Sequence, residues 1–265
     1  MALHDEKLVI SDISTGYSGR KIIENLSLPA ILPGQVVSLI GPNAAGKTTL
    51  LRSLAGLQQA HGSVQLGHRE LLSLPLADHA RHVTYMPQSL PQRVALSVLE
   101  AVIGAVRASP VSDSLESDQA VLERAMDVIE RVGIGHLAMS GLDSLSGGQR
   151  QLASLAQALV RSPQVLLLDE PISALDLHYQ LRVMKLVRDL AREMGMIILM
   201  VLHDLTIAAR WSDRIVVLSG GKVAADGPPA EAVTDRVLAD VYRVSGRVSP
   251  QNAGLHIDID DILPL

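Results

Sequence analysis

Gly41-Pro42-Asn43-Ala44-Ala45-Gly46-Lys47-Thr48 sets small residues ahead of a lysine and a hydroxyl, the order needed to hold a run of phosphates. The string follows the apolar run Val36 to Ile40 and precedes the helix-compatible stretch Thr48 to Leu57, so its context is strand, loop, helix. There, small residues let successive backbone N–H groups turn inward around an anion, and the helix adds its positive end. Lys47 then reaches the β- and γ-phosphates of a nucleotide, while Thr48 offers its hydroxyl to Mg²⁺. On average residue usage the bare pattern arises by chance in roughly one chain in a hundred of this length. Its companions must decide between a phosphate cradle and a glycine-rich turn with an incidental lysine.

Three companions are present. Val165-Leu166-Leu167-Leu168-Asp169-Glu170 is an apolar run ending in two carboxylates, as expected of a buried parallel strand delivering acids to its C-terminal edge. Asp169 is expected to hold Mg²⁺ directly or through water, and Glu170 to polarise an attacking water. The apolar run Met196 to Leu202 ends at His203; two such strands side by side place an imidazole near the γ-phosphate, able to hold it and to orient Glu170. Leu145-Ser146-Gly147-Gly148-Gln149 opens a helix that continues through Gln151 to Val160, a second anion-binding helix end, although by itself it reads as a simple N-cap.

Along the chain the phosphate-handling string, then Leu145-Ser146-Gly147-Gly148-Gln149, then the acidic strand Val165 to Glu170, in that order, resemble the ATP-binding cassette family, and the resemblance covers nearly the whole chain. Tyr17 stands where that family stacks an aromatic on adenine, although it could equally fill the core at a strand end. Gln88, in Tyr85-Met86-Pro87-Gln88, matches the Q-loop, whose amide meets Mg²⁺ and water; beside Pro87 it also reads as an ordinary loop residue. Ser146, Gly147, Gly148 and Gln149 match the signature, Ser173-Ala174-Leu175-Asp176 the D-loop, and His203 the switch histidine. The resemblance implies ATP and Mg²⁺ as cofactors. It assigns catalysis to Glu170, His203 and Gln88, and metal binding to Thr48, Gln88 and Asp169. Nucleotide contacts go to Tyr17, Gly41 through Thr49, Ser146 to Gln149, and Asp176. It also implies a head-to-tail homodimer, because the signature meets the ATP of the other subunit.

One position departs from the family. Ala44 stands where glycine is usual, whereas Ala45 is of the accepted small type. If position 44 needs a positive φ, alanine is strained by about 1 to 2 kcal/mol. Charge-assisted hydrogen bonds at about 1.5 to 3 kcal/mol each outweigh this, so binding is expected to survive.

A chain of 265 residues with 48% apolar content is long enough to bury a large core. Net charge of −5 argues against a general polyanion binder, and no nucleic-acid motif is present. With no cysteine, disulfides, thiol catalysis and cysteine-ligated clusters are excluded. The longest apolar stretches, such as Met194 to Leu202, are too short to span a bilayer, and the acidic start Met1 to Glu6 lacks a signal-peptide core. A soluble protein is expected, peripheral on the cytoplasmic face of the inner or plasma membrane if it serves transport.

Leu8 to Ile13, Lys21 to Leu28 and Gly34 to Ile40 read as strands, predicting an antiparallel β region joined to a parallel core. Leu96 to Val106 and Gln119 to Val132 have helical apolar spacing, separated by the polar stretch Ser109 to Asp118. Ile215 to Leu218 and Lys222 to Ala225 flank Ser219-Gly220-Gly221, a hairpin signal, and Ala230 to Val233 reads as a short helix. Leu255 to Asp260 alternates like an edge strand. Asp258, Asp260 and Asp261 lack the spacing of an EF-hand loop, and His79 with His82 is not enough for a metal.

The expectation is an α/β fold: a P-loop NTPase core with a mixed sheet, an antiparallel β subdomain and an inserted helical subdomain. Residues 1–265 form one nucleotide-binding domain, with the helical part at about 89–160 and a C-terminal extension at about 245–265. The expected activity is ATP hydrolysis that powers import of a ferric siderophore, haem or cobalamin, a reading that rests on the stretch Tyr85 to Val102, the single-cassette length and the short end after the hairpin. Partners are a second copy, transmembrane permease subunits and, indirectly, a periplasmic or extracellular solute-binding protein. An exporter cassette or a soluble ATPase of iron–sulfur cluster assembly shares the same motifs. A chromosome-maintenance ATPase would split its halves with a coiled coil, and nothing between Thr48 and Leu145 sustains heptads.

Overall fold

A computed structural model describes residues 6–17, 19–88, 95–108, 117–251 and 254–264. Strands β1 (Leu8–Tyr17) and β2 (Arg20–Ile31) pair antiparallel, and β3 (Val36–Ile40) then leads into helix α1 (Lys47–Leu54). After α1, β4 (Ala60–Leu66) returns to β1 and β5 (Arg69–Glu70) completes a sheet of order β2-β1-β4-β5. A single helical turn, α2 (Leu76–His79), precedes β6 (Val83–Met86). His79 of that turn is buried and His82 pairs with Gln164, so the two imidazoles have different surroundings.

Helices α3 (Val98–Arg107), α4 (Asp118–Val132) and α5 (Gly147–Leu159) follow as a layer of their own. Their starts are written locally. Ser97 with Glu100 and Ser146 with Gln149 form reciprocal capping boxes, and Ser117 caps α4. Gly133, at φ 95°, ends α4 in the left-handed conformation that glycine adopts without penalty. The boundaries agree with the helical spacing of the sequence to within two residues. The segments 89–94 and 109–116, inside the expected helical insertion, lie outside the described residues.

The chain then alternates strand and helix: β7 (Val165–Asp169), α6 (Leu177–Met194), β8 (Ile197–Val201), α7 (Leu205–Trp211), β9 (Arg214–Ser219) and β10 (Lys222–Gly227). The central sheet has the order β10-β9-β3-β8-β7-β6 and is parallel except for β10. Every residue of β3, β7 and β8 is buried, the signature of strands covered on both faces. Side chains alternate between two cores. Ile40, Leu166, Leu168, Ile198 and Met200 face the helical layer; Leu39, Leu167, Ile197, Leu199 and Val216 face α1 and the antiparallel sheet.

Gly220 and Gly221, both at positive φ, make the two-residue turn between β9 and β10. Arg214 in β9 is buried. Its Nε donates to Asp226 Oδ1 at 2.6 Å, its Nη2 to Asp226 Oδ2, and its Nη1 to the Pro29 carbonyl at 2.9 Å, joining the two sheets. Removing one partner leaves the other charge buried and alone. Asp226→Ala is therefore expected to lower the unfolding free energy by about 3 to 5 kcal/mol, read by urea denaturation; a loss below about 1 kcal/mol contradicts this account of the pair.

After the single turns α8 (Pro229–Ala232) and α9 (Asp235–Val237), β11 (Val244–Gln251) and β12 (Gly254–Ile262) form a two-stranded antiparallel sheet that, among the described residues, pairs with no other strand. The alternating stretch Leu255 to Asp260 lies in β12, with Leu255 buried in the helical-side core. No helix among the described residues is long and apolar enough to cross a membrane.

Candidate functional site

The loop between β3 and α1 carries the phosphate-handling string. Gly41 has φ 141°, and a Cβ there would stand 2.0 Å from the Leu218 carbonyl oxygen, so the close approach of β9 excludes any side chain. Gly46 at φ 99° precedes the helix. Ala44 has φ 63°, the strained conformation anticipated for a non-glycine residue at this position. Ala44→Gly removes about 1 to 2 kcal/mol of left-handed strain and adds roughly 0.5 to 1 kcal/mol of unfolded-state entropy. The net expectation is a gain of about 0.5 to 1 kcal/mol in stability, read by chemical denaturation; destabilisation contradicts it.

Lys47 is 6% exposed, and its Nζ donates to the carbonyls of Gly41 at 2.7 Å and Pro42 at 2.9 Å, which hold the ammonium inside the loop. Burial lowers its pKa, while Glu170 and Asp169 pull it back up. Thr48 Oγ1 donates to Asp169 Oδ1 at 3.0 Å, and the Tyr85 hydroxyl donates to Asp169 Oδ2 at 2.9 Å. Burial raises the pKa of Asp169; the Tyr85 and Thr48 hydrogen bonds oppose that and the Glu170 charge adds to it. A carboxylate desolvated beside a second carboxylate and a threonine hydroxyl is an all-oxygen donor set with excess negative charge, which fits a hard divalent cation.

Strand pairing delivers the rest. Asp169 at the end of β7 is in register with Val201 of β8, so Glu170 and His203 emerge side by side. His203 Nε2 lies 2.6 Å from Glu170 Oε1, the distance of a donor on Nε2, and Gln88 Nε2 donates to Glu170 Oε2 at 2.7 Å. Both carboxylate oxygens are thus held. Glu170 itself sits at φ 52°, and its carbonyl accepts from Gln151 Nε2 and, at 3.2 Å, from Ser173 Oγ. A non-glycine residue in this region costs of order 1 to 3 kcal/mol and persists only where its surroundings over-determine it.

A cleft of about 440 Å³ is lined by Tyr17, Ile22, Asn43 to Thr49, Glu170 and His203. Tyr17 is 41% exposed at its mouth, which removes the core-filling reading. Gly41, Pro42, Gln88 and Asp169 are not among the cleft-lining residues; the Gly41 and Pro42 carbonyls accept from Lys47 Nζ, Gln88 donates to Glu170, and Asp169 accepts from Thr48. Ser146 to Gln149 are not among the cleft-lining residues; Ser146 and Gln149 cap α5, and Asp176 caps α6 by accepting from Tyr179 N at 3.1 Å. Sequence reasoning missed Tyr85 and Gln151. Tyr85 stands three residues before Gln88 and Gln151 two after the signature; a polar residue beside each motif was the only signal.

The family described as ABC transporter matches residues 23–173. The chain is 36% identical over 252 residues to the hemin import ATP-binding protein HmuV of Bordetella avium, covering 92% of this chain and 94% of the relative. It is 37% identical over 238 residues to the petrobactin import ATP-binding protein FpuC of Bacillus anthracis, covering 89% and 86%. The dimeric structure of a bacterial ABC transporter cassette superposes with a TM-score of 0.76 at 25% identity, covering 84% of this chain and 98% of that one. These likenesses extend well beyond the phosphate loop, and the P-loop NTPase α/β fold is theirs. The chain belongs to the ATP-binding cassettes of the ABC transporter family and is an ABC-type ATPase.

Proposed function

We propose that this ATPase works as a homodimer on the cytoplasmic face of a membrane and powers import of hemin or a ferric siderophore through separate permease subunits. The observation that carries the catalytic part is Glu170, with one carboxylate oxygen on His203 and the other on Gln88, at the edge of the cleft that holds Lys47 and Thr48. Glu170 accepts a proton from the water that attacks the γ-phosphorus while ADP departs, and His203 fixes the direction of the carboxylate. Lys47 and the amides of Ala45 to Thr49 neutralise the phosphates, and Tyr17 stacks on the base. Thr48, Asp169 and Gln88 would hold Mg²⁺, which neutralises phosphate charge when bound.

Ser146 to Gln149 stand apart from the cleft of their own chain, which supports their meeting the ATP of a second copy; the dimeric bacterial cassette supports the pairing of two copies. The import reading is supported by HmuV and FpuC, each named an import ATP-binding protein. A solute-binding protein that feeds the permease completes the proposed assembly. Uptake of hemin and of a ferric siderophore into proteoliposomes holding permease and cassette tests this reading, with ATP supplied on the cassette side. ATP-dependent accumulation of either is expected. Outward movement identifies an exporter, and an active cassette that associates with no permease identifies a soluble ATPase; both contradict the proposal.

A further inference from the structure

We propose that Gln151 is a positioning residue for hydrolysis: from helix α5 it holds the Glu170 backbone in its left-handed conformation and so sets the direction of the carboxylate. The proposal rests on the reading of Glu170 as the group that polarises water. Gln151 is 6% exposed and both ends of its amide are used. Nε2 donates to the Glu170 carbonyl and, at 3.4 Å, to Ser173 Oγ; Oε1 accepts from Ala174 N at 3.0 Å. Only this orientation of the amide satisfies a carbonyl on one side and an N–H on the other.

Glu170 needs such a restraint. Its φ of 52° is disfavoured for a residue with a side chain, and Pro171 after it disfavours the right-handed alternative. The remaining bonds to its carbonyl come from Ser173, inside the same turn: Oγ at 3.2 Å and N at 3.4 Å. Among the described residues Gln151 supplies the side-chain bond to that carbonyl from outside the turn. The packing between α5 and this turn has no slack, since a Cβ on Gly148 would stand 2.8 Å from the Ala174 carbonyl oxygen.

The consequence is a mechanical link. Helix α5 begins at the motif proposed to meet the ATP of a second copy, and one turn later the same helix grips Glu170 of its own site. Seating of ATP against Ser146 to Gly148 is thereby transmitted to the water-polarising group of the other ATP site through one amide.

Gln151→Glu and Gln151→Met test this on the full-length chain at saturating protein and ATP. Gln151→Glu keeps the shape but presents an oxygen to the Glu170 carbonyl; Gln151→Met fills the space with no donor. Both are expected to lower kcat by about tenfold near pH 8, the loss of roughly one buried hydrogen bond, with the ATP Kd within about twofold. For Gln151→Glu the ratio to the unsubstituted chain at each pH recovers as pH falls toward about 6, because a protonated carboxyl regains a donor. For Gln151→Met that ratio does not change with pH. Unchanged kcat in both variants, parallel changes in kcat and Kd, or a Gln151→Glu deficit independent of pH each overturns the proposal. If Gln151→Glu does not fold, the kcat-against-Kd split of Gln151→Met decides. Failure of the underlying reading shows separately, as a Glu170→Gln variant that still turns over.

Discussion

Glu170→Gln is expected to bind ATP with little change and to hydrolyse it about 10²- to 10⁴-fold more slowly, roughly 3 to 5 kcal/mol of barrier. The substitution preserves shape and can preserve the hydrogen bonds: an amide oxygen still accepts from His203 Nε2, and Gln88 can turn its own amide to meet the new N–H. What disappears is the acceptor for the proton of the attacking water. Lys47 and the loop amides, proposed to carry the binding energy, are untouched. ATP then holds two copies together without being consumed, so the variant is expected to accumulate as an ATP-dependent dimer in analytical ultracentrifugation. Ordinary turnover, or a monomer at saturating ATP, contradicts the role given to Glu170.

Lys47→Ala is expected to weaken ATP binding by about 10- to 100-fold, the value of one charge-assisted contact at about 1.5 to 3 kcal/mol. The loss lies toward the upper end because the ammonium is already desolvated and is oriented by the Gly41 and Pro42 carbonyls, so little ordering remains to be done on binding. Asp169 and Glu170, whose charges act on Lys47, also lose that cation, which adds repulsion toward phosphate. Calorimetric titration with ATP reads the effect; an affinity within twofold of the unsubstituted chain contradicts the placement of Lys47 on the phosphates.

Much of this site was legible because its signals are local. A strand-to-helix loop with Gly41, Gly46, Lys47 and Thr48 is written in adjacent residues, as are the hairpin glycines 220 and 221 and the two capping boxes. Even the strain at Ala44 could be anticipated, since only the side chain at a glycine-preferring position had to be noticed. Glu170 was found as a carboxylate after an apolar strand, but its left-handed backbone was not, because nothing in Glu-Pro announces a positive φ; the conformation is imposed by Gln151 and Ser173. Tyr85 and Gln151 escaped for the same reason: their partners are 84 and 19 residues away, at Asp169 and Glu170. The pairing of β1 with β4 is likewise non-local, and β11, containing Gly246 and Pro250, carries too weak a strand pattern to reveal itself as the partner of β12.

The measurement that bears most directly on the central claim is the ATPase rate of the purified chain with and without its candidate permease in lipid, with Glu170→Gln as the control. The account predicts a rate that rises when the permease is present and is lost in the variant, the behaviour of a cassette whose hydrolysis is coupled to a membrane partner. A rate that is indifferent to the permease, with no complex formed, would contradict it.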